Sequence, residues 1–544
     1  MPGVIYVTMC GEQEADMGTF LNRGTHEFES AVNSLIYVDK TDMIEYFNKL
    51  INTEQRYVCV SRPRRFGKTM AANMFAAYYE KGLDTRRIFE NQKLGQEKNW
   101  DRYLNHFNVI RIDIAEINSV QGSPQAALDY IEKVLVDDLN EAYPNILDEN
   151  SRTIVDALDR INQKTEAQFV VIIDEWDAFF RDDKNDYKVE KRYIDLLRGL
   201  FKGNRSKNFI ALAYMTGILP IKKYNSESSL NNFREYTMLS PKRLKEYIGF
   251  NEDEVRELCM TYNMDYDEVC TWYDGYSFSG NGHVFGPNSV VQAMLDGNCE
   301  NYWSQTVAFN SLSTYITMNF DGLKDAIVNM LAGVPEKVDV LSYQNDMTSF
   351  KSKDDVMTLL IHLGYLCYDA DTETAYIPNK EVRQIFERSL KPMGWDEVIG
   401  SIEASENLMK SIINGEADKV AEGVEECHRQ NVSILKYNDE NALAMTLGLA
   451  FYSARKDYKT VRELPNGEGF ADMVFIPKYK ANDKPVIVVE LKWNKSADTA
   501  ISQIENRKYH ENLAELSGDG EVILVGITYS KGEDKTHRCV IEKV

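Results

Sequence analysis

The sequence predicts an α/β protein: an N-terminal parallel sheet, a mostly helical middle, and a second, smaller α/β unit at the C-terminus. Three observations carry this. Short apolar segments at Tyr57 to Ser61, Asn108 to Asp113, Phe169 to Asp174 and Phe209 to Met215 alternate with helical stretches, the pattern of a parallel sheet covered on both faces. After about Pro241 the apolar spacing turns helical. Beyond Leu435 strands return, at Met473 to Ile476, Val486 to Leu491 and Val522 to Ile527.

Taken in order, residues 1–16 are unpatterned and receive no role, with Met17 an alternative start. Tyr37 to Leu50, with Thr41 as N-cap, reads as a helix leading into the first strand, and a second helix follows from Thr69 to Glu80. Helical spacing at Leu244 to Tyr247 and Asp253 to Tyr262 predicts a lid. From Tyr302 to Glu425 amphipathic helices form a connector. Within it, Tyr365 to Tyr368 and Tyr376, followed by a helix capped by Asn379, suggest a small winged element. A helix from Glu440 to Tyr452 and another from Ala500 to Leu516 complete the last unit. The expected divisions are a 1–16 extension, a 17–245 parallel-sheet domain, a 246–430 lid and connector, and a 431–544 terminal domain.

A chain of 544 residues needs several cores, and 43% hydrophobic with 27% charged residues is the balance of an ordinary folded protein. A net charge of −23 excludes a surface that attracts nucleic acid everywhere, so any such site must be a local basic channel. Eight scattered cysteines without a C-x-x-C pair support neither a cysteine zinc site nor a disulfide framework, which suits the cytoplasm. No apolar run is long enough for a membrane span.

Arg62-Pro-Arg-Arg-Phe-Gly-Lys-Thr69 falls between a strand and a helix, where a phosphate-binding loop must lie. Lys68 is expected to reach the β- and γ-phosphates of ATP and Thr69 to ligate Mg²⁺. Backbone N–H groups at the helix start would cradle the phosphates. Arg62 stands where G-x-x-x-x-G-K-[ST] has its first glycine. Further on, Val170-Val-Ile-Ile-Asp-Glu175 ends an apolar strand in two acids. Asp174 suits the Mg²⁺ shell and Glu175 the polarising of a water. Thr216, at another strand end, offers a sensor for the γ-phosphate. The nucleotide set is Arg64, Arg65, Phe66, Gly67, Lys68, Thr69, Asp174 and Thr216. A lone Gly-Lys-Thr can be a chance turn, but the acidic strand end argues for ATP.

Near the C-terminus, Asp472 and the tripeptide Glu490-Leu-Lys492 lie on predicted strands. Residues i and i+2 of a strand share a face, so Glu490 and Lys492 point together. Two carboxylates from adjacent strands and one lysine can bind Mg²⁺ and position a hydroxide for in-line attack on a phosphodiester. The plainer alternative is a strand pair with surface charges. Glu440 opens a preceding helix, and Gln503 and Lys508 share the following one.

Residues 17–290 resemble the AAA-ATPase-like family of bacterial and archaeal proteins, through Tyr37-Val-Asp-Lys-Thr41, the Arg62 to Thr69 loop and Trp272-Tyr-Asp-Gly-Tyr276. The resemblance implies an AAA-like sheet with a helical lid and makes Arg62 a family trait. It sets Arg64 and Arg65 beside the nucleotide or at a neighbouring subunit, with solvated loop charges the alternative; Trp272 to Tyr276 reads as a packing corner. Asp439 to Val544 resembles the PD-(D/E)XK nuclease superfamily, implying a restriction-endonuclease-like α/β domain. By that resemblance Glu440 joins the metal shell of Asp472 and Glu490, and Gln503 and Lys508 contact the active site or the DNA backbone. The Gly-Arg-x-Asp pattern common there is Gly469-Phe-Ala-Asp472 here, which implies a weaker phosphate contact.

The expected function is a P-loop ATPase coupled to a Mg²⁺-dependent endonuclease or exonuclease, cytoplasmic, with DNA the first partner and a homo-oligomer open, in defence or mobile-element biology. Two other classes stand beside it. One is a nucleotide-dependent switch or scaffold that binds nucleic acid without cutting, against which the intact Glu490 and Lys492 count. The other is an ATP-driven protein remodeller, which an absence of salt-sensitive DNA binding would favour.

Overall fold

Every residue of Tyr57-Val-Cys-Val-Ser61 is buried, and this β-branched, apolar run forms β1, an interior strand of a five-stranded sheet. The computed structural model describes residues 18–148, 151, 153–181, 187–221, 230–247, 249–278, 282–303, 308–318, 320–343, 350–393, 395–431, 447–448, 450–466, 469–478, 484–493, 521–530 and 536–544. They fall into two units: Met1–Gln305 with Val338–Glu373 and Pro378–Glu381, and Thr306–Lys337 with Thr374–Ile377 and Val382–Val544.

In the first unit β1 is joined by β2 (Asn108–Asp113), β3 (Phe169–Asp174), β4 (Ile210–Gly217) and β5 (Arg234–Tyr236). The order is β2-β3-β4-β1-β5, parallel throughout. On one face, Phe75 of helix α1 (Lys68–Tyr79) packs edge-on against Tyr214 of β4 at 4.8 Å. On the other, Val171, Ile173, Ala213 and Met215 join a core with helices Pro124–Ala142, Ile154–Thr165 and Tyr187–Lys202. Alternating strand side chains thus bury both faces.

One local expectation is corrected. The first-strand helix spans Met43–Asn48 with Asp42, not Thr41, at its N-cap. Thr41 is fully buried, and its hydroxyl accepts from the Leu94 N–H at 3.1 Å, so it serves a tertiary contact instead. Beyond the sheet, helix Glu252–Tyr262 opens with a reciprocal capping box between Asn251 and Glu254. Asp265 caps helix Tyr266–Tyr273. Strands Phe250–Asn251, Gly282–Phe285 and Tyr276–Phe278 form a small antiparallel sheet beside them.

The second unit contains helices Leu323–Leu331, α2 (Asp396–Asn414) and α3 (Ala417–Asn431), and strands Glu336–Lys337 and Thr374–Tyr376 pair antiparallel. Its main sheet runs β6 (Tyr458–Asn466), β7 (Gly469–Pro477), β8 (Val486–Trp493), β9 (Val522–Ser530) and β10 (Thr536–Lys543) in spatial order. Only β8 and β9 are parallel. Leu491, Ile527 and Phe475 pack with Leu408, Ile412 and Val424 on the helical face. The helix expected over 500–516 lies outside the described residues, as does most of that over 440–452.

Gly275 has φ +115°, and a Cβ there would lie 2.0 Å from the Pro378 carbonyl oxygen. Gly275→Ala therefore combines backbone strain with a clash. It is expected to cost about 3 kcal/mol, read as a lower denaturant midpoint; an unchanged midpoint contradicts the packing described here.

Candidate functional site

At the end of β1 the chain enters the 62–67 loop. Arg62, in the place of a first glycine, turns into the protein: it is 1% exposed and donates to the carbonyls of Ser61 at 3.0 Å and Tyr236 at 3.2 Å. Burial lowers its pKa to about 10. The arginine thereby ties the loop to β5. Arg65 and Gly67 turn the chain through φ 66° and 77°. A Cβ on Gly67 would meet nothing within 4 Å, so glycine is favoured there by the backbone turn and not by crowding.

Phe66 is buried with its ring edge-on to Tyr276 at 5.1 Å, and the Tyr276 hydroxyl donates to the Gly364 carbonyl at 2.7 Å. Trp272 to Tyr276 thus supplies a packing corner under the loop, and the Phe66 side chain anchors that loop from below. Arg64 and Arg65 are exposed, with Arg65 donating to the Tyr302 carbonyl at 3.2 Å.

Lys68 is the first residue of α1 and is 4% exposed, with its ammonium donating to the Arg62 and Pro63 carbonyls at 2.9 and 2.8 Å. Burial lowers its pKa to about 8, opposed by the charges of Glu175, Asp174 and Asp177. Thr69 follows, exposed in the first helical turn, where backbone N–H groups lack intrahelical acceptors and favour an anion.

The strand order sets the acids beside this loop. β4 lies between β1 and β3, pairing Ser61 with Gly217 and Ile173 with Met215. Thr216 therefore stands between loop and acidic strand end. Its hydroxyl donates to Asp174 Oδ1 and accepts from the Glu175 N–H at 3.2 Å. Asp174 is fully buried, and its Oδ2 has no hydrogen-bond partner among the described residues. An orphaned carboxylate oxygen close to a lysine and an exposed threonine fits a hard divalent cation with oxygen ligands.

Glu175 has φ 49° and an ion pair to Arg181. Burial pushes its carboxyl up, but Arg181, with Lys68 and Arg64, outweighs that and holds it below the usual range. Sequence spacing does not single out three neighbours, Arg181, Asp177 and Asp113. Asp177 accepts from the Ile218 and Leu219 N–H groups at 3.1 and 2.9 Å and lies 3.4 Å from Arg181. Asp113 pairs with Asp174 across β2 and β3, and burial, aided by Asp174 and Glu175, raises its carboxyl to about 6. The available signal for Asp113 was a second strand ending in an aspartate.

In the second unit β7 and β8 pair antiparallel through Met473 and Val489. One step on, Asp472 Oδ2 accepts from the Leu491 N–H at 2.7 Å. Lys492 donates to Glu490 Oε1 at 2.9 Å and to the Leu491 carbonyl at 3.0 Å, with Glu490 1% and Lys492 7% exposed. Leu491 points to the helical core, so Glu490 and Lys492 share the opposite face. The strand pairing brings together Asp472, Glu490 and Lys492. That donor set fits a hard divalent cation. Glu440, Gln503 and Lys508 lie outside the described residues.

The parallel sheet with its Gly-Lys-Thr loop and acidic strand end defines a P-loop fold, and the mixed sheet with its strand-borne Asp and Glu-x-Lys defines a nuclease-type fold. Residues 23–225 match the family model of a predicted AAA-ATPase, and residues 438–538 match that of the PD-(D/E)XK nuclease superfamily. The chain thus joins an AAA-ATPase-like domain to a PD-(D/E)XK nuclease-superfamily domain. No curated protein matches it. Similar solved structures include Pyrobaculum aerophilum Cdc6p, at 10% identity over 68% of this chain and 96% of that one, TM-score 0.25. Aeropyrum pernix ORC2 is 10% identical over 70% and 97%, TM-score 0.22, and C. elegans PCH-2 10% over 62% and 72%, TM-score 0.21.

Thr216→Val keeps the shape at β4 but removes the hydroxyl that Asp174 accepts from. The buried carboxylate is expected to cost about 2 kcal/mol of stability, measurable by urea denaturation, whereas Thr216→Ser should retain most of it.

Proposed function

We propose that the N-terminal domain binds and hydrolyses ATP with Mg²⁺ and that the C-terminal domain cleaves nucleic acid, DNA first, with Mg²⁺ held by Asp472 and Glu490. The reading rests above all on Lys68, an ammonium buried inside a helix-initiating loop beside a strand end where Asp174 has an oxygen to spare. On ATP binding Lys68 exchanges the Arg62 and Pro63 carbonyls for phosphate oxygens. Thr69 and Asp174 hold the cation, Arg64 and Arg65 face the phosphates or a neighbouring subunit, and Thr216 keeps Asp174 in place. Glu175 leaves Arg181 to orient the attacking water and accept its proton.

In the C-terminal domain a bound cation would supply charge neutralisation and a more acidic water. Asp472 and Glu490 hold it, and Lys492 carries positive charge to the attacked phosphate. Glu440, Gln503 and Lys508 are proposed to join them. Coupling of the two activities, self-assembly, a cytoplasmic setting and a role in defence or mobile-element biology belong to the same proposal and rest on the domain pairing. No described helix is long and apolar enough to cross a membrane.

Because Lys68 has a pKa near 8 in the free chain and phosphate requires its ammonium, ATP affinity should fall as pH rises past about 8. The expected slope approaches roughly tenfold per pH unit until the bound-state pKa is reached. Calorimetry across that range tests this, and a flat profile, or full affinity in Lys68→Ala, removes the P-loop assignment. Glu175→Gln should keep ATP affinity and lower turnover by about 100-fold or more.

Asp472→Ala, Glu490→Ala and Lys492→Ala should each abolish Mg²⁺-dependent cleavage of plasmid and single-stranded DNA while leaving ATP affinity within about twofold of the parent chain. Wild-type cutting by all three would refute the site. A parent chain that binds DNA in a salt-sensitive way but cuts nothing would favour the binding switch.

A further inference from the structure

Helix α3 carries Glu425 and His428 one turn apart, a spacing that sets both on one face. That face meets the start of β10. The backbone N–H of His537 donates to Glu425 Oε2 at 3.2 Å, and His537 Nδ1 lies 2.5 Å from the same oxygen. The His428 ring stands edge-on to His537 and to Tyr529, with centroids 5.3 Å away in each case. Both histidines are buried. One ligand atom from each of Glu425, His428 and His537 falls within 4.8 Å of the other two.

These side chains stand apart from the nuclease triad. Register pairs Tyr529 with His537, and Ile527, two residues before Tyr529 and paired with Leu491, lies on the same face. Alternation along β8 puts Leu491 on that same face, packed with Val420 and Val424 of α3, and sends Glu490 and Lys492 to the other.

We propose that Glu425, His428 and His537 form a second divalent-metal site, of the two-imidazole, one-carboxylate kind that suits zinc, on the helical face of the C-terminal sheet. Imidazole nitrogens and a single carboxylate select a transition metal over Mg²⁺, which prefers an all-oxygen shell. Tetrahedral zinc spaces its ligand atoms roughly 3.3 Å apart, so small side-chain rotations of about 1 Å close the site, with water as fourth ligand. Such an ion staples α3 to an edge strand and stabilises the sheet that carries the triad. The competing arrangement is a metal-free His537–Glu425 hydrogen bond capped by the His428 ring.

The test uses the full-length chain carrying Asp472→Ala and Glu490→Ala, so that the nuclease carboxylates contribute no binding and failure here is separate from failure of the nuclease reading. After chelation and dialysis, Zn²⁺ is titrated by calorimetry and Co²⁺ by visible absorption. Submicromolar Zn²⁺ binding at one site and Co²⁺ bands of a four-coordinate nitrogen–oxygen shell are expected. Adding His428→Ala should weaken Zn²⁺ binding about 100-fold or more. Adding Glu425→Gln, which keeps an acceptor for His537 and decides the matter if the histidine variant does not fold, should weaken it at least about tenfold. At one fixed Zn²⁺ concentration the melting temperature should rise more for the background chain than for these variants. No Zn²⁺ binding by the background chain, or equal binding by a folded His428→Ala or Glu425→Gln variant, overturns the proposal.

Discussion

A buried ammonium must be given partners, and the loop around Lys68 is built to supply them. Removing such a group from water without compensation costs several kcal/mol. The carbonyls of Arg62 and Pro63 provide the compensation at hydrogen-bond distance. For those two carbonyls to converge on one nitrogen the loop must turn sharply, hence the left-handed backbone at Arg65 and Gly67. It must also be held from outside. Arg62 fastens it to β5 through the Tyr236 carbonyl, and Phe66 fastens it through its ring to Tyr276. The missing first glycine is therefore no gap in the motif, because its replacement forms one of the two anchors.

The same constraint orders the acids. With β4 between β1 and β3, Thr216 is the residue whose hydroxyl can reach Asp174. Placing Asp113, Asp174, Glu175 and Asp177 near one another would be strongly repulsive unless cations faced them. Arg181 and Lys68 do so, yet at Asp113 burial, aided by the charges of Asp174 and Glu175, still raises the carboxyl to about 6. In the second unit a smaller version appears: Glu490, almost fully buried, is held by Lys492 two residues along the strand.

What the sequence made legible follows from burial. Interior strands are continuous apolar runs, and β1, β3, β4, β7, β8 and β9 are legible as such, with ends that move by a few residues; β2 is an edge strand, but residues 20–22 cover its outer side and it keeps a buried apolar run. β5, β6 and β10 are not legible, and each is an edge strand. Edges face water on one side and carry charge, as in Arg234-Glu-Tyr236 and Thr536-His-Arg538, or proline, as at Pro465. Their period-2 signal is thereby diluted. Residues set by motif and strand parity, such as Lys68, Asp174, Glu490 and Lys492, are candidates that spacing alone can nominate. Asp177, Arg181, Asp113 and the Glu425, His428 and His537 cluster depend on tertiary approach and on strands the sequence did not reveal.

The chain's net charge of −23 gives the local cations their significance. A field of that sign repels nucleotides and nucleic acid at long range, but salt limits its reach to about 8–10 Å. Inside that distance the nearest charges decide the outcome. At the loop these are the exposed Arg64 and Arg65 and the buried Lys68, backed by helix N–H groups. Lys492 pairs with the Glu490 carboxylate, and Asp472 and Glu490 set two acids beside it. Under the proposed function such a pair of acids would call for a divalent cation before a phosphodiester. The P-loop, with its own positive charges and amide groups, can receive phosphate directly. Under the proposed function the two domains therefore differ in what would bind first: metal before nucleic acid in one, and nucleotide carrying its metal in the other.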